Sequence, residues 1–150
     1  MNDLVWRATT RAGIAAVKEP HGLTRSDGKR PDGLTLIPWC EGRCATWDVT
    51  VADTTAVSYI AMTSSLAGSA AEAAAQRKEI KYAELSHSYV FFALAFETLG
   101  PINRDGVSFL STLGRRISTV TDDPRETSFL FQRISVNIQR FNADCLNYTF

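Results

Sequence analysis

Residues 29–51 read KRPDGLTLIPWCEGRCATWDVTV, and how this stretch folds decides the rest of the chain. It holds two apolar, β-rich runs, 34–39 and 44–51. The link between them, Cys40-Glu41-Gly42-Arg43, is short and contains Gly, which predicts a hairpin. Each run carries a carboxylate. Asp32 sits just before the first strand, after a proline that fixes φ and ends whatever precedes it. Asp48 sits inside the second strand, between Trp47 and Val49. An Asp within a strand that otherwise reads as buried is costly unless it is paired or binds a metal. Folding the hairpin sets the start of the first strand beside the end of the second, so Asp32 and Asp48 become neighbours. Two adjacent carboxylates that would repel each other suit a divalent cation such as Mg²⁺ or Mn²⁺.

Outward from the hairpin, residues 3–18 are expected to form one amphipathic helix with Asp3 as its cap, closed by Glu19-Pro20. Residues 21–33 are a polar loop carrying Arg25, Lys29 and Arg30. That loop is either an ordinary solvated one or a phosphate-contacting loop that delivers Asp32. Residues 52–68 lack a clean period and are expected to be a loop with a short helical turn. Residues 69–86 predict a helix, with Ser69 as cap, Glu72 completing a capping box, and an Ala-rich body. On it Lys78 and Tyr82 are four apart and share a face, while Lys81 lies on an adjacent one. Residues 88–96, SYVFFALAF, read as a central strand. Residues 104–120 predict a helix with Phe109, Leu110, Leu113 and Ile117 on its apolar face. A last helix opens at Pro124 after Asp123 and runs to about residue 147. The expected architecture is α/β, a small mixed sheet with a β-hairpin flanked by helices.

The chain has 150 residues, enough for one domain with its own core. Basic and acidic residues balance at 16 each, which excludes a global electrostatic footprint for nucleic acid but not a local basic strip. The first residues, MNDLVWRATTRAG, carry no apolar h-region, so no signal peptide is expected, and no stretch is long and apolar enough to predict a membrane span. Three cysteines make no disulfide framework, so a reducing nuclear or cytoplasmic compartment is expected. Cys40 and Cys44 flank the hairpin turn. With no nearby His, zinc is not expected there, and both are read as structural. His21 and His87 are isolated and read as structural too. The arginines of the last two helices are surface and salt-bridge residues, or else a face that meets DNA.

Metal-dependent phosphodiester hydrolysis needs carboxylates for the metal and a cation that orients water or stabilises developing charge. Asp32 and Asp48 supply the first, and Lys78 or Lys81 the second. Tyr82 is placed to orient the phosphate or the lysine. Each group also has a plainer role: Asp32 as a turn residue between Pro31 and Gly33, and the lysines as a solvated helix face.

These residues resemble the PD-(D/E)xK nuclease superfamily. More closely, the chain is similar to the restriction-like endonuclease domain at the C-terminus of site-specific non-LTR retrotransposon reverse transcriptases. The resemblance rests on Arg30-Pro31-Asp32, then Asp48-Val49-Thr50-Val51, then Lys78 to Tyr82. It covers about residues 28–83, roughly a third of the chain, and is loosely compatible with ETLG at 97–100 and LGRRI at 113–117. The last helix lies outside it. The resemblance implies a restriction-endonuclease-like core over about residues 19–100, followed by C-terminal helices over about 104–147. It implies Asp32 and Asp48 as metal carboxylates, Lys78 as catalytic lysine and Tyr82 in support. Where the wider superfamily carries its lysine on the strand, this chain has Thr50, and the lysine moves to the following helix as that subgroup accepts. A Glu on the first helix often assists the metal in the family; Glu19 is the only one in that region. The implied activity is Mg²⁺- or Mn²⁺-dependent nicking of DNA, in or derived from a reverse transcriptase polypeptide. The alternative is an inactive relic of the same fold that binds nucleic acid or packs against a polymerase.

Overall fold

The computed structural model describes residues 1–149. Its elements are α1 (Asn2–Arg11), β1 (Ala16–Lys18), β2 (Gly33–Cys40), β3 (Arg43–Ala52), α2 (Ile60–Thr63), α3 (Ser69–Lys81), β4 (Val90–Glu97), α4 (Arg104–Thr121) and α5 (Glu126–Thr149), with 3₁₀ turns at His21–Leu23 and Ala83–His87. The strands form one sheet in the order β1-β2-β3-β4. The β1–β2 and β2–β3 pairs are antiparallel and β3–β4 is parallel. The fold is therefore α/β, a four-stranded mixed sheet flanked by helices. No helix among the described residues is long and apolar enough to cross a membrane.

The hairpin closes through Glu41 and Gly42 alone, both with positive φ (50° and 73°). Two consecutive left-handed residues match the right-handed twist of the flanking strands, which is why Gly follows Glu here. Alternation along β3 then sends its side chains to two different layers. Trp47 joins Leu94 and Phe96 of β4 in a core with Val5 and Ala8 of α1, Phe109, Leu110, Leu113 and Ile117 of α4, and Leu130, Ile134 and Ile138 of α5. The other face carries Ala52, Ala93 and Ala95, packed on Ala70, Ala71, Ala74 and Ala75 of α3. With methyl groups on both sides, α3 lies close against β3 and β4.

Three expectations need correction. The first helix stops at Arg11 rather than reaching residue 18, because Gly13 adopts φ +75°. Its N–H donates to the Thr10 carbonyl and the Ile14 N–H to that of Thr9, the paired bonds of a Schellman stop. The chain then extends, and Ala16, Val17 and Lys18 pair with Thr35, Leu34 and Gly33 as a fourth strand. Second, β4 is an edge strand. It reads as central because helices cover both its faces. Its free edge is closed by the buried Asn103, whose Nδ2 donates to the Ala93 carbonyl (2.8 Å) and whose Oδ1 accepts the Ala95 N–H (2.9 Å). Third, Ser69 does not cap α3. Gly68 does, at φ +86°, and the buried Glu97 of β4 accepts the Ala71 N–H. Glu72 reaches across to accept the Arg104 N–H at the start of α4 instead of closing a capping box. The helix itself ends at Lys81, before the 3₁₀ turn.

Gly33, between Asp32 and β2, is dictated by Trp47. A Cβ there would sit 2.0 Å from the indole ring. The indole is held by a bond from its Nε1 to Asn2 Oδ1 (3.0 Å), and Asn2 Nδ2 donates to the Asp32 carbonyl (3.2 Å). Gly33→Ala is expected to cost about 2–3 kcal/mol through forced repacking of the buried ring. Thermal and denaturant melts check this; an unshifted midpoint would show that the indole yields freely.

Candidate active site

The sheet ladder begins at Gly33 opposite Trp47, so Asp32 lies beside Asp48. The Asp32 backbone is fixed on two sides. Its N–H donates to the Trp47 carbonyl (2.9 Å), and its carbonyl accepts the Glu19 N–H (2.9 Å). Its carboxylate Oδ2 accepts the Val49 N–H at 2.6 Å. The RPD segment is thus clamped between the end of β1 and the middle of β3. This geometry goes beyond the turn role that Pro-Asp-Gly alone allows.

Asp48 pairs in register with Ala93 and is 4% exposed. It points to the alanine-lined face, where α3 delivers Lys78. The Lys78 Nζ lies 2.8 Å from Asp48 Oδ2, and the lysine side chain is 27% exposed. That Oδ2 accepts no well-directed hydrogen bond from the described residues. The short distance and the missing directed bond describe one contact, an ion pair whose angle is poor.

The Asp32 carboxyl is raised to about 6. Burial is the main cause. The Val49 N–H pulls in the opposite direction, the Asp48 charge and a hydrogen bond shared between the two carboxyls raise it again, and Lys78 lowers it slightly. The protein therefore holds two acidic side chains together, with one lysine paired to the more buried of them.

Tyr82 closes α3 and is buried, its ring tilted against Phe91 at 5.2 Å. Its phenol is pushed up to about 12 by burial first, then by the charges of Asp48 and Asp32. It stays protonated at neutral pH and can donate but not act as a base. Lys81 does not take the Asp48 contact; its ammonium sits 5.0 Å from the Tyr82 ring centroid. Glu19 is not on the first helix. It follows β1 with φ 48°, and its largely exposed carboxylate pairs with Arg30 at 3.3 Å. Arg116 packs over Trp39 at 4.2 Å and donates to its carbonyl, so it is spent on the fold rather than on an open face. Cys40 and Cys44 form no disulfide.

Among the described residues, no group of three or more His, Cys, Asp and Glu side chains converges as a metal cage. The acidic pair stands with lysine alone. A cleft of about 740 Å³ between α1 and α5 includes neither Asp32 nor Asp48. Convergence of buried titratable groups, not cavity size, marks this site.

Sequence reasoning missed Asn2, which ties both Trp47 and Asp32 to α1, and Gly33, placed only at the end of the polar loop. The legible signal was the Trp at 47 opposite a Gly, a large ring facing a position with no side chain. No family model matches the chain, and no curated protein matches it either.

Two outcomes follow from the ion pair and the raised carboxyl. Lys78→Ala leaves Asp48 buried without its cation and is expected to cost on the order of 2 kcal/mol, below the usual range for a fully buried pair because Lys78 is partly solvated. Asp48→Ala is expected to cost less, since the lysine stem can swing into water. Equal losses in denaturant melts would mean the pair is screened like a surface one. For Asp32, the fold prefers the protonated acid. Its contribution is full below the unfolded value near 3.8 and is lost as pH rises to about 6. Asp32→Asn should therefore stabilise the metal-free protein at pH 8 by on the order of 1 kcal/mol, discounted for partial exposure, and have little effect at pH 4. A pH-independent difference between the two melts would refute this.

Proposed function

We propose that this chain is a metal-dependent DNA endonuclease domain with a restriction-endonuclease-like core, belonging to or derived from a retroelement reverse transcriptase. It hydrolyses a phosphodiester and nicks one strand. The observation that carries this reading is the meeting of Asp32, Asp48 and Lys78 at the middle of β3, with Asp48 buried and Lys78 Nζ 2.8 Å from it. The sheet supports it: a hairpin bearing both aspartates, joined through α3 to a parallel strand.

The donor set fits a hard divalent cation. Asp48 offers a buried oxygen with no directed hydrogen bond, and Asp32 resists ionising without an added positive charge. Two carboxylates with water and phosphate oxygens are a common way to hold Mg²⁺. Asp32 and Asp48 would be the protein ligands. When bound, the cation polarises the phosphate and lowers the pKa of water.

The rest of the chemistry belongs to the protein. Lys78 neutralises Asp48 in the metal-free state, and its ammonium is then available to stabilise charge on the phosphate. Tyr82, held protonated, contributes a donor or a wall but takes no proton. Thr50 shares the face of Asp48 and carries no charge, so the cation comes from α3.

The test is cleavage of supercoiled plasmid in Mg²⁺ or Mn²⁺, with EDTA and Asp32→Ala/Asp48→Ala controls. Nicking is expected to vanish in both controls. Lys78→Ala should lower the cleavage rate by about 100-fold or more at saturating DNA, as for loss of one transition-state donor, and Lys81→Ala by less. The reverse order would move the lysine role to Lys81. Mg²⁺ affinity, read by calorimetry, should fall about tenfold per pH unit below about 6, because binding must displace the Asp32 proton. A folded wild-type protein that binds DNA without cutting it would shift the reading to the binding-only relic.

A further inference from the structure

Next to the aspartates lies a second cluster of charge that the proposed chemistry does not use. The loop before β2 folds back on itself. The Arg25 N–H donates to the Lys29 carbonyl (2.6 Å), the Gly28 N–H returns to the Arg25 carbonyl (3.0 Å), and the Lys29 N–H bonds Asp27 Oδ1 (3.0 Å). Gly28 has φ +80°, which lets the loop close this tightly. Arg25 and Lys29 are thereby set side by side. Across from them α3 ends in Lys81 and Tyr82. The Arg25 guanidinium is 5.7 Å from the Tyr82 ring centroid and the Lys81 ammonium 5.0 Å. The tyrosine is a platform that holds two cations by their attraction to its ring.

Between the loop and the end of α3 is a small hollow of about 160 Å³, lined by Leu23, Thr24, Arg25, Lys81, Tyr82 and Glu84. The third loop cation, Arg30, is diverted to Glu19 and His21. Arg25 has a loose acidic partner in Asp27 at 3.5 Å, and Glu84 lies on the wall. Neither Lys29 nor Lys81 has an acidic partner within ion-pair distance among the described residues. The Lys81 ammonium is held below its ordinary value by burial and then by the charges of Lys78, Lys29 and Arg25, so these cations do feel one another. Tyr82 in turn feels the charges of Asp48 and Asp32, and Lys78, which meets Asp48, lies one turn before it on α3.

We infer that Arg25 and Lys81, held over Tyr82, with Lys29 beside Arg25 on the loop, form a subsite for one backbone phosphate of DNA, flanking the phosphodiester that Asp32 and Asp48 address. The inference rests on the endonuclease reading for its ligand. A hollow with cations on two sides and an aromatic floor suits a compact anion, and an adjacent phosphate is what a nucleic acid strand passing Asp48 would present there. Such contacts position a strand without reading its sequence. They also give a balanced chain a local basic strip.

The experiment is anisotropy of a short labelled DNA duplex in EDTA, so that binding is read without cleavage. Lys29→Ala/Lys81→Ala is compared with Arg133→Ala/Arg140→Ala, which removes the same charge from the α1–α5 cleft. The first variant is expected to weaken binding about tenfold or more and to reduce the slope of log Kd on log salt by about one to two. The second is expected to stay within about twofold. Thermal melts of both establish folding. Equal weakening by the two variants, or an unchanged salt slope in the first, overturns the subsite even if the wild type nicks plasmid. Wild-type binding that depends on Lys29 and Lys81 without any nicking keeps the subsite and overturns the nuclease. Inorganic phosphate at millimolar concentration, with ionic strength matched by chloride, is expected to compete weakly; full displacement would reassign the hollow to a free phosphate ligand.

Discussion

Asp48 stands in the middle of β3, paired with Ala93 of β4 on one side and beside Asp32, just before β2, on the other, almost wholly out of water. An ionised carboxylate at such a place needs a cation within the fold. The cation arrives on α3, and α3 can bring it because its inner face is alanine. Ala70, Ala71, Ala74 and Ala75 against Ala52, Ala93 and Ala95 let helix and sheet approach to methyl contact. A Leu on either side would lift the helix and draw Lys78 away from Asp48. The small-residue layer that looks like mere helix propensity in the sequence therefore sets the reach of the lysine. The opposite face, filled by Trp47, Phe96, Phe109 and the leucines of α4, supplies the hydrophobic stabilisation that this thin layer does not.

Asp32 is held by a different logic. Its main chain, not its charge, is fixed by the fold. The Trp47 carbonyl, the Glu19 N–H and the Asn2 amide all engage its peptide groups. Its side chain is placed against Asp48 with one backbone N–H in support and is left reluctant to ionise. The pair is asymmetric: one carboxylate is matched by lysine, the other is supported by a single backbone N–H. On the nuclease reading proposed above, Asp32 and Asp48 would hold the cation, and Lys78 would turn its ammonium to a substrate phosphate.

Much of this was legible in residues 29–51. The hairpin, the position of Asp32 beside Asp48 and the cost of an Asp between Trp and Val follow from period-two alternation and turn chemistry. The helices at 69–81 and 104–121 were legible from alanine content and apolar spacing. What was not legible depended on partners far away in sequence. Helical spacing in residues 3–18 concealed the stop at Gly13, since Ile14, Ala16 and Val17 continue an apolar pattern that serves a strand equally well. The apolar run at 88–96 could not reveal that Asn103 would finish its edge. Ser69 and Glu72 have the form of a capping box, yet Glu97 and Arg104 claim the groups involved. At Gly13 a local left-handed stop overrode the apolar pattern, and in the other two cases a tertiary hydrogen bond overrode a local signal. The contact of Lys78 rather than Lys81 with Asp48 belongs to the same class, because one helical step decides it.

The source of the lysine has a structural consequence. A lysine at position 50 would be carried on the same strand as Asp48 and held by the same ladder. Thr50 occupies that place, two residues along on the same face. Lys78 instead depends on where α3 sits, and α3 is anchored at its start by Glu97, whose Oε1 accepts the Ala71 N–H while Oε2 accepts the Thr54 hydroxyl. Glu97 is the last residue of β4, so the strand that flanks Asp48 also fixes the helix that answers it. At the far end of the same helix, Tyr82 seats Lys81 and faces Arg25. One helix, pinned at its N-terminus by a buried carboxylate and close-packed by methyl groups, thus positions both the ammonium at the acidic pair and the cation beside the hollow. A lysine carried on α3 depends on a single packed element where one on β3 would have the rigidity of a ladder, and the alanine layer with its Glu97 anchor is what holds that element in place.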